Sequence, residues 1–297
     1  MYQAHLRVIF QVEKTGFTMR KFVLLPLTIA FALTTVPLIN AQVKYARGQD
    51  VQPVFEGWQR NADGTYNLYF GYFNRNYEEI VDIPVGPDNS FDHGSPDRGQ
   101  PTHFYTRRHM FAFKVVLPKD WDPNTKLTWT VNVHGQKNYA KGWLQPEWEV
   151  DEGVISENVG HGLSVGGNKP PSISGDTSQT ITFPQTATVT VTATDDGLPR
   201  PPAKEPEPTD PDARRAAEAR NRRPPGVGVQ WIQYRGPGAV NFEPDQQTPV
   251  YGKPVTATTK VAFTVPGTYV LRAIASDGAL FATHDVTVIV KPANSGQ

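Results

Sequence analysis

The sequence contains no cysteine, so neither disulfides nor a lipidated cysteine is available, and an exported form has to be stabilised by its cores alone. It also lacks an excess of charge of either sign. Lysine plus arginine and aspartate plus glutamate number 29 each, which leaves no global field to draw the chain onto nucleic acid or an anionic membrane. From Val43 to about Gly166 sustained helical periodicity is missing, and past the N-terminal segment no apolar run approaches the length of a membrane span. No H-x-x-x-H or H-E-x-x-H spacing places two metal ligands on one element.

What is present begins with Met19-Arg20-Lys21, the apolar run Phe22 to Leu38, and Ile39-Asn40-Ala41. A basic start, an apolar stretch and a small residue are the parts of a secretory signal peptide, expected over residues 1–41, with Met19 as an alternative start. Pro26, Pro37 and the Asn40-Ala41 pair favour cleavage over a retained anchor. The expected location is secreted or periplasmic, or associated with the outer surface, in a bacterium.

A chain of 297 residues then leaves room for two domains of ordinary size. Residues 42–166 read as an aromatic-rich all-β, sandwich-like domain. Its clearest strand is Thr65 to Asn74, in which Tyr66, Leu68, Phe70 and Tyr72 fall on one face and Asn67, Tyr69, Gly71 and Phe73 on the other. Aromatics on both faces predict cover on both sides. Ile80 to Ile83, Ala112 to Leu117 and Leu127 to Val133 are further strands. The Gly-, Pro- and Asp-rich stretch Val85 to Arg108 reads as a long irregular loop, the first place to look for a site. Gly160 to Gly167 followed by Asn168-Lys-Pro-Pro171 is a break in composition.

Residues 167–292 alternate short strands with turn signals: near Gln179 to Phe183, Thr186 to Thr194, Val229 to Tyr234, Lys260 to Thr264, Thr268 to Ser276 and Asp285 to Val290. With Trp231 as a buried-type tryptophan and Tyr269 as a corner-type tyrosine, this reads as an immunoglobulin-like sandwich. Residues 198–228 interrupt it with a charged run too poor in apolar residues to fold on its own. Inside that run Asp210 and Pro211 can open a helix, and Arg214, Arg215, Arg220, Arg222 and Arg223 cluster toward its end. The run is expected to be a disordered, solvated insertion, and residues 293–297 a disordered tail.

The pieces Asn168-Lys-Pro-Pro171, Thr194-Asp-Asp-Gly-Leu-Pro199, Trp231, Gly236-Pro-Gly238, Pro266-Gly-Thr-Tyr269 and Ala275-Ser-Asp-Gly278 resemble, in order and spacing, the PKD-type and cadherin-like immunoglobulin-fold repeats of bacterial extracellular proteins. Trp231-Ile-Gln-Tyr-Arg-Gly-Pro-Gly238 stands where those domains carry Trp-Asp-Phe-Gly-Asp-Gly. The resemblance implies a fold and an extracellular spacer or adhesion role. Phe70 to Asn76, Ile83 to Asn89 and Gly99 to Phe104 resemble an uncharacterised module of secreted bacterial proteins, which implies no catalytic residues.

Few constellations carry chemistry. Gly162-Leu-Ser-Val-Gly166 matches a nucleophile elbow, but Gly167, Asn168, Lys169 and two prolines cannot open the helix it needs. His93, His103, His109, His134 and His161 would assemble a metal site only over long range. Asp120 to Asn124 begins like a calcium loop, but Thr125 and Val131 stand at its sixth and twelfth positions and exclude an EF-hand. Asp195, Asp196 and Asp277 lie at strand ends where oxygen ligands gather for calcium in cadherin-like sandwiches, although Asp-Asp-Gly and Ser-Asp-Gly are also ordinary turn formers. No cofactor is expected, with calcium as the alternative. Trp58, Trp121, Tyr139, Trp143 and Trp148 lie in or near loops and are the candidates for a glycan platform, set against a role as core aromatics.

The expectation is an exported, non-enzymatic binding, adhesion or structural module of a bacterial cell envelope, with other envelope or extracellular proteins as partners. A carbohydrate-binding accessory protein is the alternative, and a metal-dependent hydrolase with a histidine site in the N-terminal domain the second.

Overall fold

The computed structural model describes residues 45–159, 166–201, 209–220 and 226–293. The signal-peptide segment, residues 162–165 of the G-x-S-x-G match, His161, Arg222, Arg223 and residues 294–297 lie outside the described residues.

The N-terminal half is built on β1 (Val51–Arg60), β2 (Tyr66–Asn74), β3 (Val81–Asp82), β4 (Asn89–Phe91), β5 (His103–Phe104), β6 (Arg107–Leu117), β7 (Leu127–Val133) and β8 (Gln136–Gly142). Two three-stranded sheets, ordered β1-β2-β6 and β4-β7-β8, share one core, and β3 pairs with β5 at its margin. Leu68, Phe70 and Tyr72 face that core as the alternation predicts. Trp129 fills its centre, with Phe70, Phe91, Phe104 and Phe113 around it.

A helix the sequence did not signal, α1 (Glu152–Val159), contributes Ile155 to a second cluster with Phe111, Val150 and Leu280. Two turns with a single inward isoleucine leave no periodicity to read. Tyr69 packs on this cluster, so β2 is covered on its second face too. Strands β1 and β8 were likewise unsignalled. β1 carries Pro53 and a bulge between Phe55 and Gly57, where Gly57 has a φ of 133° and its lack of a Cβ permits a close approach to Trp148 and Val150. β8 has only one core residue besides its closing glycine, yet the His134-Gly135 turn, with φ of 52° and 78°, pairs it with β7 as a hairpin.

The C-terminal half comprises β9 (Ser172–Gly175), β10 (Ser178–Thr182), β11 (Ala187–Thr194), α2 (Pro211–Arg220), β12 (Val227–Arg235), β13 (Val240–Glu243), β14 (Gln246–Val250), β15 (Val255–Phe263), β16 (Gly267–Ser276) and β17 (Phe281–Lys291). A five-stranded sheet ordered β10-β17-β16-β12-β14 faces a four-stranded sheet ordered β13-β15-β11-β9. It is an immunoglobulin-like β-sandwich. Ala187, Val189, Val191 and Ala193 point inward while the alternate threonines point out, where Thr190 and Thr192 meet Thr258 and Thr256 across the ladder. Trp231 is buried between the sheets. The Tyr269 hydroxyl donates to the Val265 carbonyl at 2.8 Å, the back-bond of a tyrosine corner. Gly236 lies against the Tyr269 ring, where a Cβ would collide, which accounts for the Gly-Pro-Gly sequence.

The charged insertion is not wholly without structure. Asp210 accepts the backbone N–H groups of Asp212 and Ala213 at 2.8 Å each, and α2 follows from that cap.

Candidate functional site

In an isolated sandwich the outward residues of β12, β16 and β17 would meet water. Here Tyr234, Val270, Arg272 and Ile274 stand on that face, and Tyr234 and Val270 belong to the N-terminal core. Arg272 is the centre of the contact. Its Nε and Nη2 donate to the Asp285 carboxylate at 2.7 and 2.8 Å, and its Nη1 donates to the Ala112 carbonyl at 2.8 Å. Its guanidinium lies 3.4 Å from the centroid of the Tyr234 ring. Burial pushes the Tyr234 hydroxyl up to about 12.

The segment Val85 to Arg108, expected as an irregular loop, contains β4 and β5 and is a joint. Arg235 binds Asp97 with two hydrogen bonds of 2.8 and 2.9 Å, and its Nε donates to the Gln100 carbonyl. Thr102 N–H donates to the Tyr234 carbonyl at 3.2 Å, and Gln233 N–H to the Tyr105 hydroxyl at 2.9 Å. Asn89 and Gln100, both fully buried, hold the segment from within. These amides make backbone bonds that strands would otherwise make, which is why a stretch without strand periodicity is ordered.

At one end of the sandwich, Asp195 follows β11 and Asp277 follows β16, with Asn168 ahead of β9. Asp277 is buried. Its Oδ1 accepts from the N–H groups of Ala279 and Leu280, and its Oδ2 from the Asn168 amide at 3.0 Å. Asp195 Oδ2 accepts from Gly197 N–H, whereas Asp195 Oδ1 and Asn168 Oδ1 are buried with no hydrogen-bond partner. Burial, with the charges of Asp277 and Asp196 adding to it, pushes the Asp195 carboxyl above its ordinary range. Asp196 is exposed and closes the turn through Lys169 and Leu198. Among the described residues no group of three or more His, Asp and Glu side chains is gathered to hold a metal ion. What meets here is two carboxylates and one amide. Asn168, absent from the acidic set read in the sequence, was visible there only as the residue before Lys-Pro-Pro.

The five candidate platform aromatics do not form one surface. Trp58 is in the core and donates Nε1–H to the Gln145 carbonyl, and Trp121 packs beside His93. Tyr139 stands alone on β8, half exposed. Trp143 and Trp148 are brought together, stacked near the Phe55 ring at 6.5 and 5.6 Å, and Trp148 remains 44% exposed. The histidines do not gather into one group, although His103 and His109 both flank Tyr105. His93 pairs with Asp92, His103 with Asp82, and His134 lies 3.6 Å from Glu79. His109 stacks on Tyr72.

No helix among the described residues is long and apolar enough to cross a membrane. No protein-family model matches the chain, and none of the curated proteins matches it. Among solved structures it is similar to the PKD domain of human KIAA0319, at 18% identity over 45% of this chain and 94% of that one, with a TM-score of 0.22. It is also similar to the fibronectin(III)-like modules of Clostridium thermocellum CbhA, at 9% identity over 82% and 94% of the two chains, TM-score 0.24. A third likeness is to Drosophila N-cadherin EC1-3, at 11% identity over 82% and 68%, TM-score 0.24.

Proposed function

We propose that the chain is an exported, non-enzymatic binding, adhesion or structural module of a bacterial cell envelope. The observation that supports it is the joint. A buried Arg272–Asp285–Tyr234 contact and the Arg235–Asp97 pair hold two β structures in one arrangement, as a module needs when its output is the placement of surfaces for other envelope or extracellular proteins. A glycan contact on such a module would fall on the Trp143–Phe55–Trp148 strip. Export is tested by fractionating cells that make the full chain and sequencing its N-terminus. Recovery outside the cytoplasm with a new start near Gln42 is expected; retention in the cytoplasm with the segment after Met19 intact would overturn the proposal.

The Asn168–Asp195–Asp277 end fits a calcium ion in this reading, because two buried oxygens without partners, backed by carboxylates, are the hard donors calcium takes. Bound there, the ion would offset the repulsion that raises the Asp195 carboxyl. A carboxyl whose folded-state pKa is raised destabilises the fold as pH rises through the window above its ordinary value. At pH 7 without calcium, Asp195→Asn is therefore expected to melt at or above the wild-type temperature. Calcium at 100 times its Kd is expected to stabilise the wild type by about 2.7 kcal/mol and to leave Asp195→Asn unmoved. A wild type indifferent to calcium in the same melting series refutes the site.

A further inference from the structure

A cavity of about 380 Å³ lies between β6 and the outer face of the five-stranded sheet, a volume within the range of small-ligand pockets. Its apolar walls include Met110, Phe111, Ile232 and Phe281. The strand forming one wall is irregular. Between Phe70 and Tyr72 the β2–β6 register shifts, so that Met110 to Ala112 stand opposite Gly71 alone. Phe111 has a φ of 50° and Arg107 of 71°. A bulky residue in the left-handed region is costly and persists only where its surroundings hold it, and bulges of this kind re-aim side chains beside sites.

The polar groups on the cavity are ordered on one side and unused on the other. His103 Nδ1 is 2.6 Å from Asp82 Oδ1, which can only accept, so Nδ1 carries the hydrogen and Nε2 has no protein partner among the described residues. His109 Nε2 donates to the Thr106 carbonyl at 3.1 Å, leaving Nδ1 without one. Burial, with the Arg108 charge beside it, holds the His109 imidazole below its ordinary range, so at neutral pH its free nitrogen accepts. The Tyr72 and Tyr105 hydroxyls each accept a backbone N–H and have no acceptor for their own hydrogens among the described residues. Both cations on the wall are neutralised within the protein: Arg108 by Glu56 at 2.6 and 2.7 Å, and Arg272 by Asp285. A charged ligand would find no counter-charge.

We propose that this cavity binds a small neutral hydroxylated aromatic molecule of the phenol or catechol class. Its ring lies among the aromatic and aliphatic walls and its hydroxyl hydrogens go to His103 and His109. The site goes beyond the envelope role and does not rest on it. The test is calorimetric titration of the full chain with phenol and catechol, with toluene and glucose for comparison and amide shifts mapped by NMR. Phenol and catechol are expected to bind one to one with shifts on β6 and β12, and toluene about tenfold more weakly, one net hydrogen bond being worth about that. His109→Phe keeps the stack on Tyr72 and is expected to bring phenol down to the toluene level, while Ile232→Trp fills the cavity and abolishes binding. No phenol binding, toluene equal to phenol, glucose preferred, or an unchanged His109→Phe would each overturn the proposal. If a variant fails to fold, the wild-type shift map decides, and shifts away from β6 and β12 overturn it.

Discussion

Trp129→Ala is expected to cost the N-terminal half about 5 kcal/mol, a large fraction of the roughly 5–15 kcal/mol by which domains are stable. The side chain is fully buried, with Phe113 edge-on at 4.9 Å and Phe70, Phe91 and Phe104 around it. Truncating a core tryptophan removes its transfer energy and leaves a cavity that rigid neighbours cannot close, about 3–5 kcal/mol. A polar loss adds to this. Trp129 Nε1 donates to Asn89 Oδ1 at 2.9 Å, and Asn89 in turn donates to the carbonyls of Ile83 and Pro101. Without the indole the Asn89 oxygen is buried unpaired, which costs about 1–3 kcal/mol. Trp129→Phe keeps most of the volume but not the donor, and is expected to cost about 2 kcal/mol. Urea unfolding of both variants checks the ranking; a Trp129→Phe variant as stable as the wild type would show that the Asn89 bond is not a separate contribution, and equal losses in the two variants would show that the cavity is not.

Arg272→Ala is expected to weaken the joint by about 3 kcal/mol, since removing one member of a buried pair strands the other groups. Three partners are affected at once: Asp285, the Ala112 carbonyl and the Tyr234 ring. Asp285 keeps 40% of its side chain exposed and can be rehydrated, which places the loss at the lower end of the range for buried pairs. The consequence is loss of coupling between the halves. Trp58, Trp121, Trp129, Trp143 and Trp148 report on the N-terminal half, and Trp231 reports on the C-terminal sandwich. Tryptophan fluorescence and far-ultraviolet dichroism are therefore expected to follow one urea transition in the wild type and two in Arg272→Ala. Arg272→Met combined with Asp285→Leu is expected to restore much of the stability, because a matched apolar pair often equals a buried ion pair. A single transition in Arg272→Ala would mean that the joint is held by Arg235–Asp97 and the Tyr234 packing instead.

Much of the architecture was legible along the chain. Leu127–Val133 was read to the residue, and the alternation of Thr186 to Thr194, Thr268 to Ser276 and Leu68 to Tyr72 set which side chains meet in each core. A period of two is a local property, visible wherever one face is apolar. β1, β8 and α1 escaped because their order comes from partners: a bulge at Gly57, a turn at His134-Gly135, and one isoleucine against Phe111 and Leu280. The outward row Val270, Arg272 and Ile274 held a readable hint, since apolar residues flanking a charge on a sandwich's outer face imply that the face is covered.

The candidate sites divided in the same way. Asp195, Asp196 and Asp277 were found as strand-end acids, but chemistry that pairs Asp277 with Asn168, leaves Asp195 Oδ1 unpartnered and sets Asp196 apart depends on atoms brought from separate strands. Of the five aromatics, only Trp143 and Trp148 share a neighbour. Local pattern therefore determined an all-β chain, its turns, its corner tyrosine and its lack of net charge. Which faces are covered, which histidine nitrogens are left free and which oxygens are stranded were decided only by tertiary structure, because burial and hydrogen-bond satisfaction belong to pairs of residues far apart in sequence.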